Sequence, residues 1–172
     1  MNTSILLITI SGNDRPGIVH EIASVVHRHG GNWEQSQLIH LSGKFVGLLQ
    51  VMVEEEKREA LRLDLLKIAD LELTIAEGSH EEEQKGNVFQ VRLIGADHPG
   101  IVSEIFGAAA ELGLNVESMT THTEAAADSG VLLFKAESRL SAGPKIDSLH
   151  IAERFERLAP DLLVEVTVDD QV

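Results

Sequence analysis

The amino-acid sequence predicts an α+β protein made of two tandem domains with the same fold, each an antiparallel four-stranded sheet with helices on one face. The first observation is an internal repeat, in which Gly12–Val19 returns as Gly95–Val102 after 83 residues. From Gly12 to Glu34 the two copies share eleven identities in twenty-three positions. An 83-residue period is too long for a solenoid unit, so each copy is expected to be a small domain. The second observation is an order of strand-like and helix-like segments that repeats with these copies.

In the first copy, a short β-branched and apolar run over Ile5–Ile10 predicts a buried strand. Pro16 is expected to open a helix at its first position, where its fixed φ fits and its missing N–H is not needed. An apolar stripe at helical spacing follows, and Gly30 ends the helix. The stripe consists of Ile18, Ile22, Val25 and Val26.

The first copy continues with a hairpin, a second helix and a last strand. Trp33–Leu41 and Phe45–Val53 read as strands separated by a Ser-Gly-Lys turn. Glu54–Ala69 reads as a helix with acids near its start, and Leu71–Ala76 as a strand. The residues expected on the buried face of this helix are Leu61, Leu65 and Ile68.

The second copy repeats this order, over residues 88–94, 99–112, 115–123, 131–137, 145–159 and 162–168. Its second helix is expected to bury Leu149, Ala152, Phe155 and Ala159. Residues 79–86 are acidic and carry no apolar side chain, which indicates a solvated linker between a domain over 1–78 and a domain over 87–172.

A βαββαβ order gives the ferredoxin-like arrangement, in which two helices cover one face of the sheet. Val, Leu and Ile occur on both phases of the strands, so the other sheet face is expected to be covered as well. Pairing between the two halves would cover some of it. Two like domains can form within one chain the pseudo-symmetric interface that a homodimer forms from two chains, and a homodimer of the whole chain is left open.

Composition excludes several classes of function. The formal charge of −14 leaves no basic surface for phosphate contacts, so direct DNA or RNA binding is not expected. The absence of cysteine removes disulfides, thiolate nucleophiles and cysteine-based zinc sites. The N-terminus has neither the basic region of a signal peptide nor the length of a membrane span, and a cytoplasmic protein without membrane contact is expected.

The recurring Gly-x-Asp-x-Pro-Gly-Ile-Val loop between strand and helix carries the candidate chemistry. The leading glycine, Gly12, permits a sharp exit from the strand or a close approach by another group. Gly17 leaves the first helical amides open to an anion, and the helix dipole favours a carboxylate there. Asp14 offers the opposite charge, so the loop suits a zwitterion. Asn32 is expected beside the loop if the two central strands are neighbours.

A structural interpretation competes with this one. An aspartate ahead of a helix start is a common cap, which stabilises a helix by about 0.5–2 kcal/mol without any ligand. Repetition of the loop is also what a simple duplication of the fold would leave. The residues alone do not decide between a binding loop and a capped turn.

The βαββαβ order with this Asp-x-Pro-Gly loop resembles the ACT domain, a family of small regulatory modules that bind amino acids. Two copies with almost nothing else resemble, more narrowly, the glycine-cleavage-system transcriptional repressor family. The resemblance implies a ligand held by the strand–helix loop and by residues that open the second strand. The positions so implied are Gly12, Asn13, Asp14, Gly17, Ile18 and Asn32, with Ala96, Asp97, Gly100, Ile101 and Asn115 in the second copy.

The function implied by this resemblance is a non-enzymatic repressor of glycine cleavage that responds to a small amino acid, with glycine as the favoured ligand. It would act through a DNA-binding protein partner rather than by touching DNA, in keeping with the acidic charge. The alternative is a stand-alone regulatory subunit of an enzyme of amino-acid or one-carbon metabolism. The two copies differ within the loop, at Arg15 against His98, so their sites are not expected to be equivalent.

Other residue sets predict no chemistry. The spacing of the eight histidines lacks the i, i+4 pair of a helical zinc site, and no metal or other cofactor is expected. No serine lies in a nucleophile-elbow context and no phosphate-binding glycine motif is present, so no catalytic residue is predicted. Trp33, the only tryptophan, is expected to pack in the core, with a pocket floor or an interface anchor as alternatives.

Overall fold

The fold is described from a computed structural model, which describes residues 2–78, 86–158 and 162–169. Contacts between Cα atoms divide the chain into two compact units, residues 1–82 and 83–172. The described parts of these units are called domain 1 and domain 2 below. The predicted linker over 79–86 falls almost wholly outside the described residues, as does Ala159, so both stay predictions.

Each domain has the predicted βαββαβ order. Domain 1 contains β1 (Thr3–Asn13), α1 (Ile18–Arg28), β2 (Asn32–Leu41), β3 (Lys44–Glu54), α2 (Glu55–Leu65) and β4 (Leu71–Glu77). Domain 2 contains β5 (Asn87–Ala96), α3 (Ile101–Glu111), β6 (Asn115–Ala125), β7 (Leu132–Ala142), α4 (Ser148–Glu156) and β8 (Leu163–Val168). The four helices are shorter than the sequence patterns predicted, because residues at their ends form turns.

Both sheets are antiparallel and four-stranded, as predicted, with orders β2-β3-β1-β4 and β6-β7-β5-β8. The first strand of each domain is therefore central, between the third and fourth strands. Alternate residues of the strands point to the helices and form the core, as Ile8 and Ile10 do on β1. The predicted stripes are buried on α1 and α2, and Phe155 is buried on α4.

The predicted buried face of α4 is wrong at one position. Leu149 is 64% exposed, whereas Ile151 is completely buried. The helix begins later than predicted, at Ser148, after Asp147 accepts a hydrogen bond from the backbone N–H of His150 at 2.9 Å. This cap sets the rotation of the helix, so that Ile151 and Phe155, four residues apart, share the buried side.

The sheet faces without helices, called the outer faces below, differ between the domains. The outer face of domain 1 is largely uncharged and exposes Ile39, Leu41, Val46 and Leu48. The outer face of domain 2 carries charges instead: the Arg92 guanidinium lies 3.6 Å from Glu137 and 3.5 Å from Glu165. Apolar residues also lie on the outer face of domain 2, among them Ile94 and Leu163. The expectation that the outer faces are covered remains a prediction.

Candidate functional site

The leading glycine of the loop allows two strands to come close together. Gly12 pairs with Phe45 of β3 on one side and with Leu71 of β4 on the other. A Cβ atom at this position would lie 2.6 Å from the carbonyl oxygen of Asp70 and 2.6 Å from a methyl group of Leu71. At the matching Gly95 a Cβ would lie 2.9 Å from Leu162. Of the two roles considered for this glycine, close approach is the one that the geometry shows.

The Pro-Gly pair forms a turn ahead of the helix and not its first position, which corrects the prediction for Pro16. Gly17 and Gly100 are the N-cap residues of α1 and α3, with φ of 94° and 99° in the left-handed region. In domain 2 the N–H of Ile101 donates to the carbonyl of His98 at 3.2 Å. Proline followed by a left-handed glycine is the pattern of a type II turn, so both residues are required before the helix begins.

Neither Asp14 nor Asp97 caps a helix. The N-cap residues of α1 and α3 are glycines, and among the described residues no backbone N–H donates to the carboxylate of Asp14 or Asp97, in contrast to Asp147 at α4. The structure therefore removes the capping interpretation of these aspartates. The first-turn N–H groups of α1 and α3 lie at the positive end of the helix dipole, and no side chain accepts a hydrogen bond from them in the described residues.

Asp14 lies beside the hairpin that joins β2 and β3. Its backbone N–H donates to the carbonyl of Gly43 at 3.0 Å, and its carboxylate lies 3.8 Å from Nε2 of His40. The side chain of Asp14 is 42% exposed, so it is accessible to a ligand. In domain 2 the N–H of Asp97 makes the matching bond to the carbonyl of Leu132 at 2.9 Å.

The predicted closeness of Asn32 to the loop is wrong within a domain. Asn32 pairs with Met52, which pairs with Ile5 at the start of β1, seven residues from Gly12. At about 3.3 Å per residue, Asn32 lies about 23 Å from the loop. The reason is the strand order, which places β3 between β1 and β2 and makes these two strands parallel. Asn115 occupies the same opposite end of the sheet in domain 2, through Ser141 and Val88.

The structure thus brings together most, but not all, of the predicted site residues. Gly12, Asn13, Asp14 and Gly17 share one end of the domain 1 sheet, as their counterparts Ala96, Asp97 and Gly100 do in domain 2. Ile18 and Ile101 are there too, but their side chains are buried in the cores, so only their backbones can meet a ligand. The binding role of all these residues stays a prediction.

A pair of valines at this end had no role in the sequence-based site. Val19 and Val102 lie in the first helical turn and are 44% and 41% exposed. Both valines are among the residues that are identical in the two copies, yet neither belongs to the buried stripe of its helix. A repeated apolar residue outside the buried stripe is the sequence signal that could have pointed to these positions. An exposed apolar side chain beside open amides provides a wall for the aliphatic part of a ligand.

The glutamate that both copies carry in the first helix pairs with a basic residue of the strand–helix loop. Glu21 accepts a hydrogen bond from Arg15 at 2.6 Å, and Arg15 also donates to the carbonyl of Ala69 at 3.4 Å. In domain 2 the matching pair is His98 and Glu104, with Nε2 and the carboxylate 3.9 Å apart. The ion pair of domain 1 is therefore shorter, and its cation also contacts the segment between α2 and β4.

The shared glutamate of the second strand marks a β-bulge. The register shifts between Trp33 and Gln35 in domain 1 and between Val116 and Ser118 in domain 2, which leaves Glu34 and Glu117 as the extra residues. Glu117 accepts hydrogen bonds from the Ser141 hydroxyl and, at 2.7 Å, from the Asn115 amide. These bonds, the one from Ser141 first, lower the pKa of Glu117. Asn115 thus has a structural contact in this domain.

The remaining candidate residues have ordinary surroundings. Trp33 is partly buried against the core of domain 1, and its indole N–H donates to Ser36 at 3.2 Å. In the part of the chain that the structure describes, no group of three histidine or acidic side chains is arranged to hold a metal ion. No helix of that part is long and apolar enough to cross a membrane.

A four-stranded antiparallel sheet with two helices on one face, in the order βαββαβ, defines the ferredoxin-like class of α+β folds. Residues 4–76 match the ACT domain family. This match covers most of domain 1, and domain 2 repeats the same fold.

Solved structures extend this likeness over the whole chain. A protein of unknown function from Galdieria sulphuraria is 22% identical, with a TM-score of 0.82 over 98% of this chain and 99% of that one. A candidate glycine cleavage system transcriptional repressor is 19% identical, with a TM-score of 0.69 over 98% of this chain and 100% of that one. At these identities the likeness shows a shared tandem fold. No curated protein matches the chain by sequence.

Replacing the left-handed glycine of the loop is expected to destabilise domain 2. In Gly100→Ala the new methyl group has room, with its nearest neighbour 3.7 Å away, so the loss of about 1–2 kcal/mol comes from the left-handed backbone alone. Gly107→Ala in the same helix is the matched control. That position is open and inside the helix, so the alanine should stabilise it by about 0.5–1 kcal/mol. Calorimetric unfolding of both variants measures this, and equal effects would contradict the assigned turn.

Glu117 is expected to make domain 2 more stable above about pH 4.5 than below it. Because the folded-state pKa of Glu117 is lowered from 4.5, its ionised form stabilises the fold above that pH, and this contribution is lost as the pH falls through the folded-state pKa. Glu117→Gln should therefore be less stable at pH 7 and decline less steeply in acid. Glu156→Gln, an exposed change on α4, is the control. Thermal unfolding followed by circular dichroism between pH 3 and 7 measures both, and parallel curves for wild type and Glu117→Gln would refute the assignment.

Proposed function

We propose that the protein is a non-enzymatic regulator that binds a small amino acid and represses glycine cleavage through a DNA-binding protein partner. The observation that carries the proposal is the likeness, over essentially the full length of both chains, to the candidate glycine cleavage repressor.

The charge of the chain supports action through a partner. A formal charge of −14 opposes the approach of a phosphate backbone, and a DNA-binding protein usually carries the opposite sign. An acidic regulator is therefore better suited to contact such a protein than to contact DNA. Regulation through a partner also needs no catalytic group, in keeping with the absence of any predicted from the sequence.

The loop at the end of β1 supports amino-acid binding. Uncapped first-turn amides of α1 attract a carboxylate, and the accessible Asp14 carboxylate attracts an ammonium group. Val19 adds an exposed apolar surface in the same turn. Domain 2 repeats the uncapped helix and Asp97, but lacks a counterpart to the Asn13 side chain because Ala96 stands there. Such an arrangement recognises a zwitterion by its two charges.

Titration calorimetry of the full chain against glycine, L-serine, L-alanine and L-valine tests the ligand. At least one of these is expected to bind saturably, and Asp14→Asn or Asp97→Asn should weaken it about tenfold, as expected for the loss of a charge-assisted hydrogen bond. Asp128→Asn is the control, since that aspartate lies in the hairpin between β6 and β7. Absence of heat and of any thermal shift with all four amino acids would overturn the binding role.

Affinity capture with the tagged chain tests the partner. The proposal expects a DNA-binding transcription regulator to be retained, in an amount that changes when the bound amino acid is added. Retention of a metabolic enzyme would favour the alternative, a stand-alone ACT regulatory subunit of amino-acid or one-carbon metabolism. Retention of purified DNA by the chain alone would contradict action through a partner.

A further inference from the structure

A cleft of about 510 Å³ opens on the outer face of domain 1, at the end of the sheet where β1 stops and β3 and β4 begin. The cleft and α1 lie on opposite faces of the sheet, because the side chains of Ser11 and Asn13, which line the cleft, point away from the helices. Side chains from three strands and from the segment before β4 line it. Those used below are Ser11, Asn13, Lys44, Val46, Asp70 and Glu72.

The charges in this cleft are not neutralised by one another. The Lys44 ammonium donates to Oδ1 of Asn13 at 2.7 Å and, within the described residues, makes no ion pair. Glu72 accepts a long hydrogen bond of 3.4 Å from the Ser11 hydroxyl. Asp70 and Glu72 likewise form no ion pair in the described ranges, although both line the same cleft as Lys44. A cation and two anions therefore face one space without contacting each other.

The backbone of Asp70 supplies an independent observation. Its φ is 63°, in the left-handed region that non-glycine residues rarely adopt. This conformation costs roughly 1–2 kcal/mol, and aspartate tolerates it better than most residues. Strained residues of this kind concentrate at ligand sites, and Asp70 is one of the residues that line the cleft.

The fold itself does not require the polar residues of the cleft. The strand registers match Ser11, Asn13, Lys44 and Glu72 of domain 1 with Ile94, Ala96, Leu133 and Leu163 of domain 2. All four polar residues are thus replaced by apolar ones on the same backbone. The polar lining of the cleft is therefore a property of domain 1 that domain 2 does not repeat.

We propose that this cleft binds the charged head of an α-amino acid, with Lys44 on the carboxylate and Glu72 with Asp70 on the ammonium group. The Cα atoms of Lys44 and Glu72 lie two strands and two residues apart, which gives about 12 Å from sheet spacings. The Lys44 ammonium contacts Asn13 and the Glu72 carboxylate approaches the Ser11 hydroxyl. A small zwitterion between them can therefore accept a hydrogen bond from Lys44 and donate one to Glu72, each of about 2.9 Å. Val46 offers an apolar wall to a short side chain.

This inference rests on the proposed amino-acid binding, but it places the ligand in the outer-face cleft and not at the strand–helix loop. It assigns one site per chain, in domain 1, and it names three residues outside the strand–helix loop. A purely anionic ligand would be attracted by Lys44 but repelled by the carboxylates of Asp70 and Glu72. A purely cationic ligand would be attracted by those carboxylates but repelled by Lys44. Only a ligand with both charges satisfies the whole cleft.

Calorimetric titration of the full chain with glycine, L-serine, L-alanine and L-valine tests the cleft. Lys44→Met and Glu72→Gln are each expected to weaken binding at least tenfold, with one site per chain in the wild type. Their matched controls, Lys135→Met and Glu165→Gln, change outer-face charges of β7 and β8 in domain 2 and should leave the affinity within twofold. Acetate and methylammonium, which carry one charge each, should bind far more weakly than the amino acid. Circular dichroism confirms that the exposed substitutions leave the fold intact.

The outcomes separate this inference from the proposed function. If the wild type binds an amino acid and neither Lys44→Met nor Glu72→Gln weakens it, the cleft is refuted. If in the same experiment Asp14→Asn or Asp97→Asn abolishes binding, the proposed loop site stands without the cleft. Two equivalent sites per chain would also overturn the assignment to domain 1. If the wild type binds none of the amino acids, both the proposed binding function and the cleft fail.

Discussion

The close approach of the fourth strand to the end of the first is the constraint on which each domain depends. Only a residue without a side chain fits at Gly12, since a Cβ would lie 2.6 Å from the backbone carbonyl oxygen of Asp70. At Gly95 a Cβ would lie 2.9 Å from the end of the Leu162 side chain, which can move. This contact brings the start of β4 beside the end of β1, where the chain leaves the sheet for α1. The loop, the open helix end and the outer-face cleft all lie at this one end of the sheet because the strands converge there.

The sequence predicts the elements well because they depend on local periodicity. The stripe of Ile18 and Ile22 and the β-branched run of β1 each identify an element without knowledge of the rest of the chain. The position of Asn32 could not be predicted in the same way. Whether β1 lies next to β2 or next to β3 is decided by long-range strand pairing. The prediction assumed that β1 lies next to β2, whereas β3 lies between them and Asn32 is at the opposite end of the sheet from the loop.

The candidate site was predicted in part for the same reason. Residues within the loop stay together whatever the strand order, so Asp14 and Gly17 are placed correctly near one another. Lys44 and Glu72 reach the same end through the sheet register, and no local pattern connects them. The start of α1 was predicted two residues too early, at Pro16, because proline suits both a first helical position and a type II turn. The left-handed Gly17 decides for the turn.

Comparison of the two domains separates residues that the fold needs from residues that it does not. Gly12, Gly17 and Ile18 recur because strand approach, turn and core require them, so their repetition is explained without a ligand. The bulge residue Glu117 has a structural contact as well. Residues that differ on the same backbone carry the complementary information, since domain 2 folds with leucine in the place of Lys44. A function that distinguishes the domains is therefore to be sought where they diverge.

The size of the proposed ligand limits what its binding can do. The best small ligands gain about 1.5 kcal/mol per non-hydrogen atom, so a molecule as small as glycine gains at most about 7.5 kcal/mol, a Kd of roughly 3 μM. Only the part of this free energy that differs between two states of the protein can shift their balance. A complete switch from 1:99 to 99:1 takes about 5.5 kcal/mol, which is most of that total. Glycine must therefore bind almost exclusively to one state if it acts alone as a switch. A cleft that satisfies both of its charges only when Lys44 and Glu72 are correctly placed would give that selectivity, because displacing either residue removes a charge-assisted hydrogen bond from the ligand.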